Sequence, residues 1–460
     1  MPIRNFGRNV EFSPRQVLTP ASEEEVLEIL RQNRGKNVRA IGRLHSWSRA
    51  IVAHDVLLDL RLLDGVRVER RGEEYWATIG AGCQIKRALA ELDRQGLTLP
   101  TLGLISEQTI AGASATGTHG SGRHSLSHYL DEVRIAAYDA AGEPTIHTIT
   151  AGDELRAARC SLGCLGIVVS VGIRGRPQYR IEEHFREYEK LEDALAAEAE
   201  YPLTQFYLTP WRWKWMAQHR RESERPRSWL APLYRLYWFL WIDVSLHLVI
   251  LLLVRWLKIP ALVKFFYRWI VPLAIVRPWR VVDRSQDTLV MEHELFRHLE
   301  MEVFVCRSQL AAAMELVQET LRHCGGEQAV HSRSLPPAGC YVHHYAICIR
   351  KVLPDDTLIS MASGGEEPHY AISLITYARP SERDGFFMAA NHLAHRMAAQ
   401  FGARPHWGKY CPLDAGELGK VYPQLPRFVE ICNQLDPSGV FRNEWLEEVL
   451  FRAGQRPAPR

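Results

Sequence analysis

The sequence predicts a segregated α+β fold, and three observations carry that prediction. Short β-type runs and amphipathic helical runs alternate through the first 175 residues or so, yet no GxGxxG fingerprint joins a strand to a helix, since Gly80 and Gly82 lack the third glycine. That disfavours a doubly wound fold and its nicotinamide cofactors. Residues 110–122 read IAGASATGTHGSG, where Gly112, Gly117, Gly120 and Gly122 remove the Cβ and admit positive φ, so something large comes close to this backbone. Finally, 460 residues at 47% hydrophobic composition are ample for a large core in two or three domains.

The elements follow in order. Ser22 and Glu25 form a capping box, and Val26, Ile29 and Leu30 share one face of the helix it starts. That helix leads into a strand ending before Gly42. Residues 56–60 and 75–79 read as strands; Ile85, Ala88, Leu89 and Leu92 mark an amphipathic helix stopped by Gly96. Strands at 133–138 and 145–150, a helical stretch from 152 and a strand at 166–173 complete this unit. The composition changes near residue 180. Further on, 300–305 reads as a strand, 308–323 as a helix, and 341–350 and 357–361 as strands paired around Pro354, Asp355 and Asp356.

Residues 229–276 are the most apolar part of the chain. Asp243, Arg255, Lys258, Lys264 and Arg268 interrupt them, and Pro260 and Pro272 are breaks. Arg225, Arg227 and Arg235 come before the stretch or at its start, and Arg277 and Arg280 after it, which places both ends on one side of a membrane in a monotopic or re-entrant insertion. The alternative is a buried helical pair inside a second domain or at a dimer interface.

Charge and cysteine usage exclude other classes. A net charge of +3 without a basic tract interleaved with aromatics argues against nucleic acid. Nine cysteines contain no CxxC pair and no zinc-ligand spacing, so no metal is expected and a reducing compartment is. The first residues contain no apolar signal-peptide core, so the expected location is the cytoplasmic side of a membrane.

The glycine-rich segment reads as an anion concavity of backbone N–H groups, with the hydroxyls of Ser114, Thr116, Thr118 and Ser121 as added partners, or else as a loop that is merely tight. Three more segments bear on the choice: NVRAIGRLHSWS at 37–48, PHWGK at 405–409 and LDPSGVFRN at 435–443. In this order the four resemble the flavoproteins of the vanillyl-alcohol-oxidase type, most closely the sugar-1,4-lactone and alditol oxidases with their HSxS, GTHGSG and HWGK signatures. The resemblance covers the first 175 residues or so and the last 60 well, and the middle in places.

The resemblance implies FAD held in a two-subdomain cradle of the PCMH type at 1–178. It implies an α+β cap, or substrate, domain at 179–400 carrying the apolar insertion, and a C-terminal segment at 401–460 that completes the flavin site. The cofactor residues it implies are Ile41, Gly42, Arg43, Leu44, His45 and Ser46, then Ser106, Thr109, Gly112, Ser114, Thr116, Gly117, Thr118, His119 and Gly120, then Ile167, His406 and Lys409. His45 matches the histidine that bonds covalently to the flavin 8α carbon, the alternative being a hydrogen-bonding loop histidine. His119 is expected as a buried structural donor.

Lys409 matches the lysine at the flavin N1–C2 edge, where a fixed cation stabilises developing negative charge. Arg350 matches the arginine of a glutamate-x-arginine pair and would orient a substrate oxygen. The glutamate of that pair is replaced by Cys348, which weakens the case for a lactone or alditol. Glu302, or His343 and His344 on a neighbouring strand, are candidate bases. The implied activity is a flavin-dependent oxidation that moves hydride from a C–H bearing a hydroxyl to flavin N5, with oxygen or another electron acceptor. Alternatives are a membrane-associated enzyme acting on a lipid-linked sugar or sterol-like molecule, and a non-catalytic binding scaffold, against which the presence of His45 and Lys409 counts.

Overall fold

The computed structural model describes residues 2–291, 295–327 and 335–452. After a two-stranded antiparallel pair, Ile3–Arg4 with Glu11–Phe12, the strands Gln16–Leu18, Val38–Ile41 and Val56–Asp59 form a small parallel sheet with Val56–Asp59 in the middle. The crossover helix Glu23–Gln32 starts as expected: Ser22 accepts the Glu25 N–H at 3.2 Å, although the Glu25 carboxylate reaches past the cap to the Ala21 N–H at 2.8 Å. Val26 and Leu30 are its buried face. Arg39, on the strand that follows, is itself buried. It donates to the carbonyls of Ala50, Leu162, Gly163 and Phe441, and so clamps the first strands, a distant loop and the C-terminal segment together.

A second, antiparallel sheet has the order Pro144–Ile149, Leu130–Tyr138, Ile167–Pro177, Glu74–Gly80, Val66–Arg71. Its central strand Ile167–Pro177 begins with seven consecutive buried residues, as a strand covered on both faces must. Helices Ile85–Asp93 and Ile110–Ala115 lie where the sequence places a helix and the glycine-rich segment.

The third sheet has eight antiparallel strands in the order Val281–Arg284, Arg180–Tyr188, Lys214–Ser223, Gln205–Thr209, Ile347–Val352, His369–Tyr377, His298–Cys306, Arg404–Pro405. Helices Leu310–Cys324 and Pro380–Phe401 pack on it. One expectation fails here. Ile347–Val352 pairs with Gln205–Thr209 and His369–Tyr377, not with 357–361. The Asp355 side chain instead accepts from the Thr357 N–H and from the hydroxyls of Thr357, Ser360 and Ser125, which curls 355–360 into a loop. His343 and His344 lie in a loop before the strand, which starts at Ile347, not on a neighbouring strand.

The apolar stretch is a helical hairpin. Helix Ala231–Leu257 is long and apolar enough to cross a membrane by length and composition. Lys258 turns left-handed with φ 52°, and Pro260 starts the return helix. Ile250, Leu253, Val263, Tyr267 and Val271 pack with Trp211 and Tyr377 of the body. Trp229, Leu240, Trp241, Trp256, Phe265, Trp269 and Leu273 are exposed on the surface.

Candidate active site

Three backbone segments wall one side of a cavity of about 480 Å³: the end of strand Val38–Ile41 with residues 42–47, helix Ile110–Ala115 with the residues before it, and the loop 162–168. Their closeness is set by residue size. A Cβ added at Gly112 would meet only Thr109 Oγ1 within 4 Å, at 3.1 Å, because its other side is the cavity. Beside it, Leu44 holds the left-handed φ of 57°, uncommon without glycine, and its carbonyl accepts the Phe6 N–H at 2.8 Å. That turn carries His45 into the cavity wall, stacked on Phe6 at 5.3 Å between ring centroids.

The opposite wall is one face of the eight-stranded sheet. Glu300 and Glu302 alternate along one strand and Cys348 and Arg350 along another, so each pair points the same way. Lys409 pairs with Glu300 and lies 4.4 Å from the Trp47 ring centroid. Glu302 is buried; it accepts from the Ser373 hydroxyl at 2.7 Å, and His119 Nε2 stands 3.5 Å away. Burial pushes the Glu302 carboxyl up, but the facing His119 and Lys409 outweigh it and hold the group well below the usual carboxylate range. His119 Nδ1 is 2.9 Å from the Gly120 carbonyl, which can only accept, so the proton on that side is fixed. His406 takes the Gly408 N–H at Nδ1, 3.0 Å, and burial depresses it to about 3. Burial also pushes the Cys348 thiol up, against the pull of Arg350.

His119, Glu302 and His406 offer ligand atoms within 4.8 Å of one another, close enough to hold a metal ion by distance. Each imidazole has its Nδ1 engaged by the backbone, and Glu302 is engaged by Ser373.

Toward the surface the lining becomes apolar. Trp238, Ile242, Leu246, Ile250, Tyr267 and Val271 of the hairpin form the outer part, joined by Met216, by Phe185 stacked on Trp238 and by Phe296 stacked on His247. Two polar groups stand among them, Asp243 and His247, the latter 3.0 Å from the Tyr377 hydroxyl.

Most of the expected residues meet at this cavity. Ile41, Gly42, Arg43, Leu44, His45 and Ser46 line it, as do Thr109, Gly112, Thr116, Thr118 and His119, and Glu302, Arg350, His406 and Lys409. Ser106, Ser114, Gly117, Gly120 and Ile167 do not. Ser106 donates to the Met291 carbonyl and Ser114 back to the Ile110 carbonyl of its own helix. The segment that reads as an open anion concavity begins as a helix, and its Ile110 and Ala111 N–H groups are taken by the carbonyls of Cys83 and Ala81. Gly122 serves the chain's own packing: at φ 76° a Cβ would stand 2.0 Å from the Pro202 carbonyl oxygen.

His343 and His344 are buried away from the lining, against the Tyr341 hydroxyl at 3.1 Å and the Thr376 hydroxyl at 3.3 Å. Sequence reasoning missed Glu300, Trp47, Tyr207, Asp243 and His247. Only Glu300 leaves a signal, its spacing of two from Glu302 on a recognisable strand.

Comparison with known proteins agrees with this geometry. The D-arabinono-1,4-lactone oxidase family matches residues 179–449, and the FAD binding domain family matches 14–143. A long-chain alcohol oxidase of an uncultured marine euryarchaeote is 51% identical over 98% of this chain and 98% of its own. An L-gulonolactone oxidase of Scyliorhinus torazame is 26% identical over 98% of both. Among solved structures, cholesterol oxidase from B. sterolicum superposes with a TM-score of 0.76 at 15% identity, covering 98% of this chain and 96% of that one, a likeness of fold.

Proposed function

The chain belongs to the D-arabinono-1,4-lactone oxidase family of FAD-dependent flavoproteins, and from that premise we propose that it oxidises an alcohol bearing a long apolar chain, drawn from a membrane surface. It is an FAD-dependent oxidoreductase of alcohol or sugar-lactone donors. The observation that carries the narrower reading is the outer lining of the cavity. An alkyl chain reaching the polar floor would pass Trp238, Ile242, Leu246 and Ile250, with Asp243 and His247 as the two charged or titratable side chains among them. A sugar lactone would leave hydroxyls unpaired there, and Cys348 supplies no carboxylate to hold them. The 51% identical relative bears the name long-chain alcohol oxidase, which supports the same substrate class.

The slot formed by residues 39–47, 108–116 and 162–168 fits FAD because the small residues of 109–116 with Gly163 and Gly166 line it and Gly112 opens directly onto it. When bound, FAD supplies the two-electron acceptor chemistry. In this reading residues 1–178 hold it, 179–400 cover it and 401–460 close the site. His45 carries the covalent bond, and Lys409, steadied by Glu300, offsets negative charge at the ring. Arg350 holds the substrate oxygen. The Glu302 and His119 pair takes the hydroxyl proton, since a ring nitrogen beside a carboxylate is suited to receive it. The alcohol becomes an aldehyde as it gives up a hydride and that proton, and oxygen, as final acceptor, becomes hydrogen peroxide. The hairpin's exposed tryptophans and leucines, with arginines at its base, suit an interfacial anchor.

The test is anaerobic bleaching of the flavin absorption by primary alcohols from ethanol to hexadecanol and by L-gulono-1,4-lactone. The expected result is a rate that rises with chain length and exceeds that of the lactone. Faster bleaching by the lactone than by dodecanol overturns the reading.

A further inference from the structure

We infer that Glu183 is the positioning residue of Arg350, acting through the side chains of Gln218 and Gln205, and that Tyr234 ties the same carboxylate to the foot of the helical hairpin.

None of Glu183, Gln218, Gln205 and Tyr234 belongs to the machinery described above, and the line from Arg350 to Glu183 follows from strand register. Arg350 lies directly opposite Gln205, and Gln205 directly opposite Gln218 on the next strand. Gln218 lies opposite Phe185, which places Glu183 on the diagonal, two residues along, within reach of a long side chain. The four side chains therefore cross four adjacent strands in one line. The bonds complete it: Arg350 Nε donates to Gln205 Oε1 at 3.3 Å, Gln205 Nε2 donates to Gln218 Oε1, and Gln218 Nε2 donates to Glu183 Oε2 at 2.9 Å.

The direction of the chain is set from the carboxylate end. A carboxylate can only accept, so Gln218 turns its amide nitrogen to Glu183 and its oxygen away. Gln205 must then offer nitrogen to Gln218 and oxygen to Arg350. A guanidinium can only donate, so the last link matches. With either amide reversed, two donors or two acceptors would face each other away from water, since Gln205, Gln218 and Glu183 are all buried. Glu183 is held by two further groups: Arg220 Nε at 2.5 Å, and the hydroxyl of Tyr234, which donates to Glu183 Oε1 at 2.7 Å. Tyr234 lies in the first turns of the hairpin's long helix and packs with Val281 at the sheet edge. The hairpin and the cavity's arginine thus share one buried anchor, and seating of the hairpin bears on where Arg350 stands.

This inference rests on the role proposed for Arg350, and its test separates the two. The holoenzyme is compared as wild type, Glu183→Gln, Gln205→Met, Tyr234→Phe and Arg350→Lys, with each of the first three also made in the Arg350→Lys background. FAD content and melting temperature verify folding, and the Gln205→Met variant cuts the chain without removing a charge should Glu183→Gln not fold. The readouts are the rate of flavin bleaching by dodecanol and a crystal structure of the folded relay variant. Glu183→Gln or Gln205→Met should slow bleaching about tenfold, the scale of one hydrogen bond to a charged group. Neither should slow it further in the Arg350→Lys background, because they act through the same group. Tyr234→Phe should move in the same direction by a smaller factor. In the crystal structure Arg350 should have left the position it holds in wild type. Equal losses in both backgrounds, or an unmoved Arg350, overturn the inference. If dodecanol bleaches no variant, the substrate reading fails, while the position of Arg350 still decides this one.

Discussion

Lys409 and Glu300 form a part-buried ion pair on the wall of the cavity, with the lysine ammonium also over the Trp47 ring. The pairing holds a flexible side chain in one place. Lys409→Met should slow flavin reduction by about 10²-fold, the scale of losing one preorganised donor to developing charge, with FAD content unchanged. Single-turnover absorbance at constant FAD loading checks it, and an unchanged rate removes Lys409 from its proposed role.

His45 sits on a left-handed turn at Leu44 and stacks on Phe6, a placement rigid enough for a covalent bond. Wild-type protein precipitated with acid should keep its yellow colour in the pellet. His45→Ala should release the flavin to the supernatant while still binding it in the native state. Colour retained in the mutant pellet contradicts the assignment.

Trp256 and Leu273 are 80% and 75% exposed on the hairpin. Serine at both should leave the melting temperature in place, yet lower partitioning into anionic phospholipid vesicles by tenfold or more, since each large apolar side chain contributes roughly 1.5–3 kcal/mol when taken from water. Sedimentation with vesicles measures this. A fall in melting temperature with unchanged partitioning would mean that the hairpin is part of the soluble core.

Cys348 stands opposite Tyr207 and Ser373 and two residues before Arg350 on the wall that faces the slot. Cys348→Glu places a carboxylate where a polyol's hydroxyls would need one. Bleaching by L-gulono-1,4-lactone should rise and bleaching by dodecanol should fall; the reverse would show that this position does not select the substrate.

Burial depresses His406 and His343 to about 3 and His219 and His369 to about 4. Their unfolded value lies near ~6.5, so below it the unfolded chain binds more protons than the folded one. Stability is therefore fully present above about pH 6.5 and is lost as pH falls toward 4, by at most ~1.4 kcal/mol per pH unit for each histidine. Melting temperature should drop between pH 7 and 5, and His369→Gln should make the drop shallower. A melting temperature that is flat or rises on acidification contradicts this.

The sequence by itself determined the α+β class, the first helix with its Ser22 cap, the strands around Gly42 and the segments bearing His45, His119 and Lys409. Those features are local, since capping, period and glycine turns act within a few residues. The apolar stretch was legible as well, because its composition contrasts with everything around it. Only the tertiary structure decided that Glu300 pairs with Lys409, that Ser114 turns back into its own helix, and that the hairpin supplies the outer wall of the cavity. It also decided that Gln205, Gln218 and Glu183 stand in line behind Arg350. Those relationships depend on register between strands far apart in the chain, and nothing in a single strand's own residues specifies which neighbour it will face.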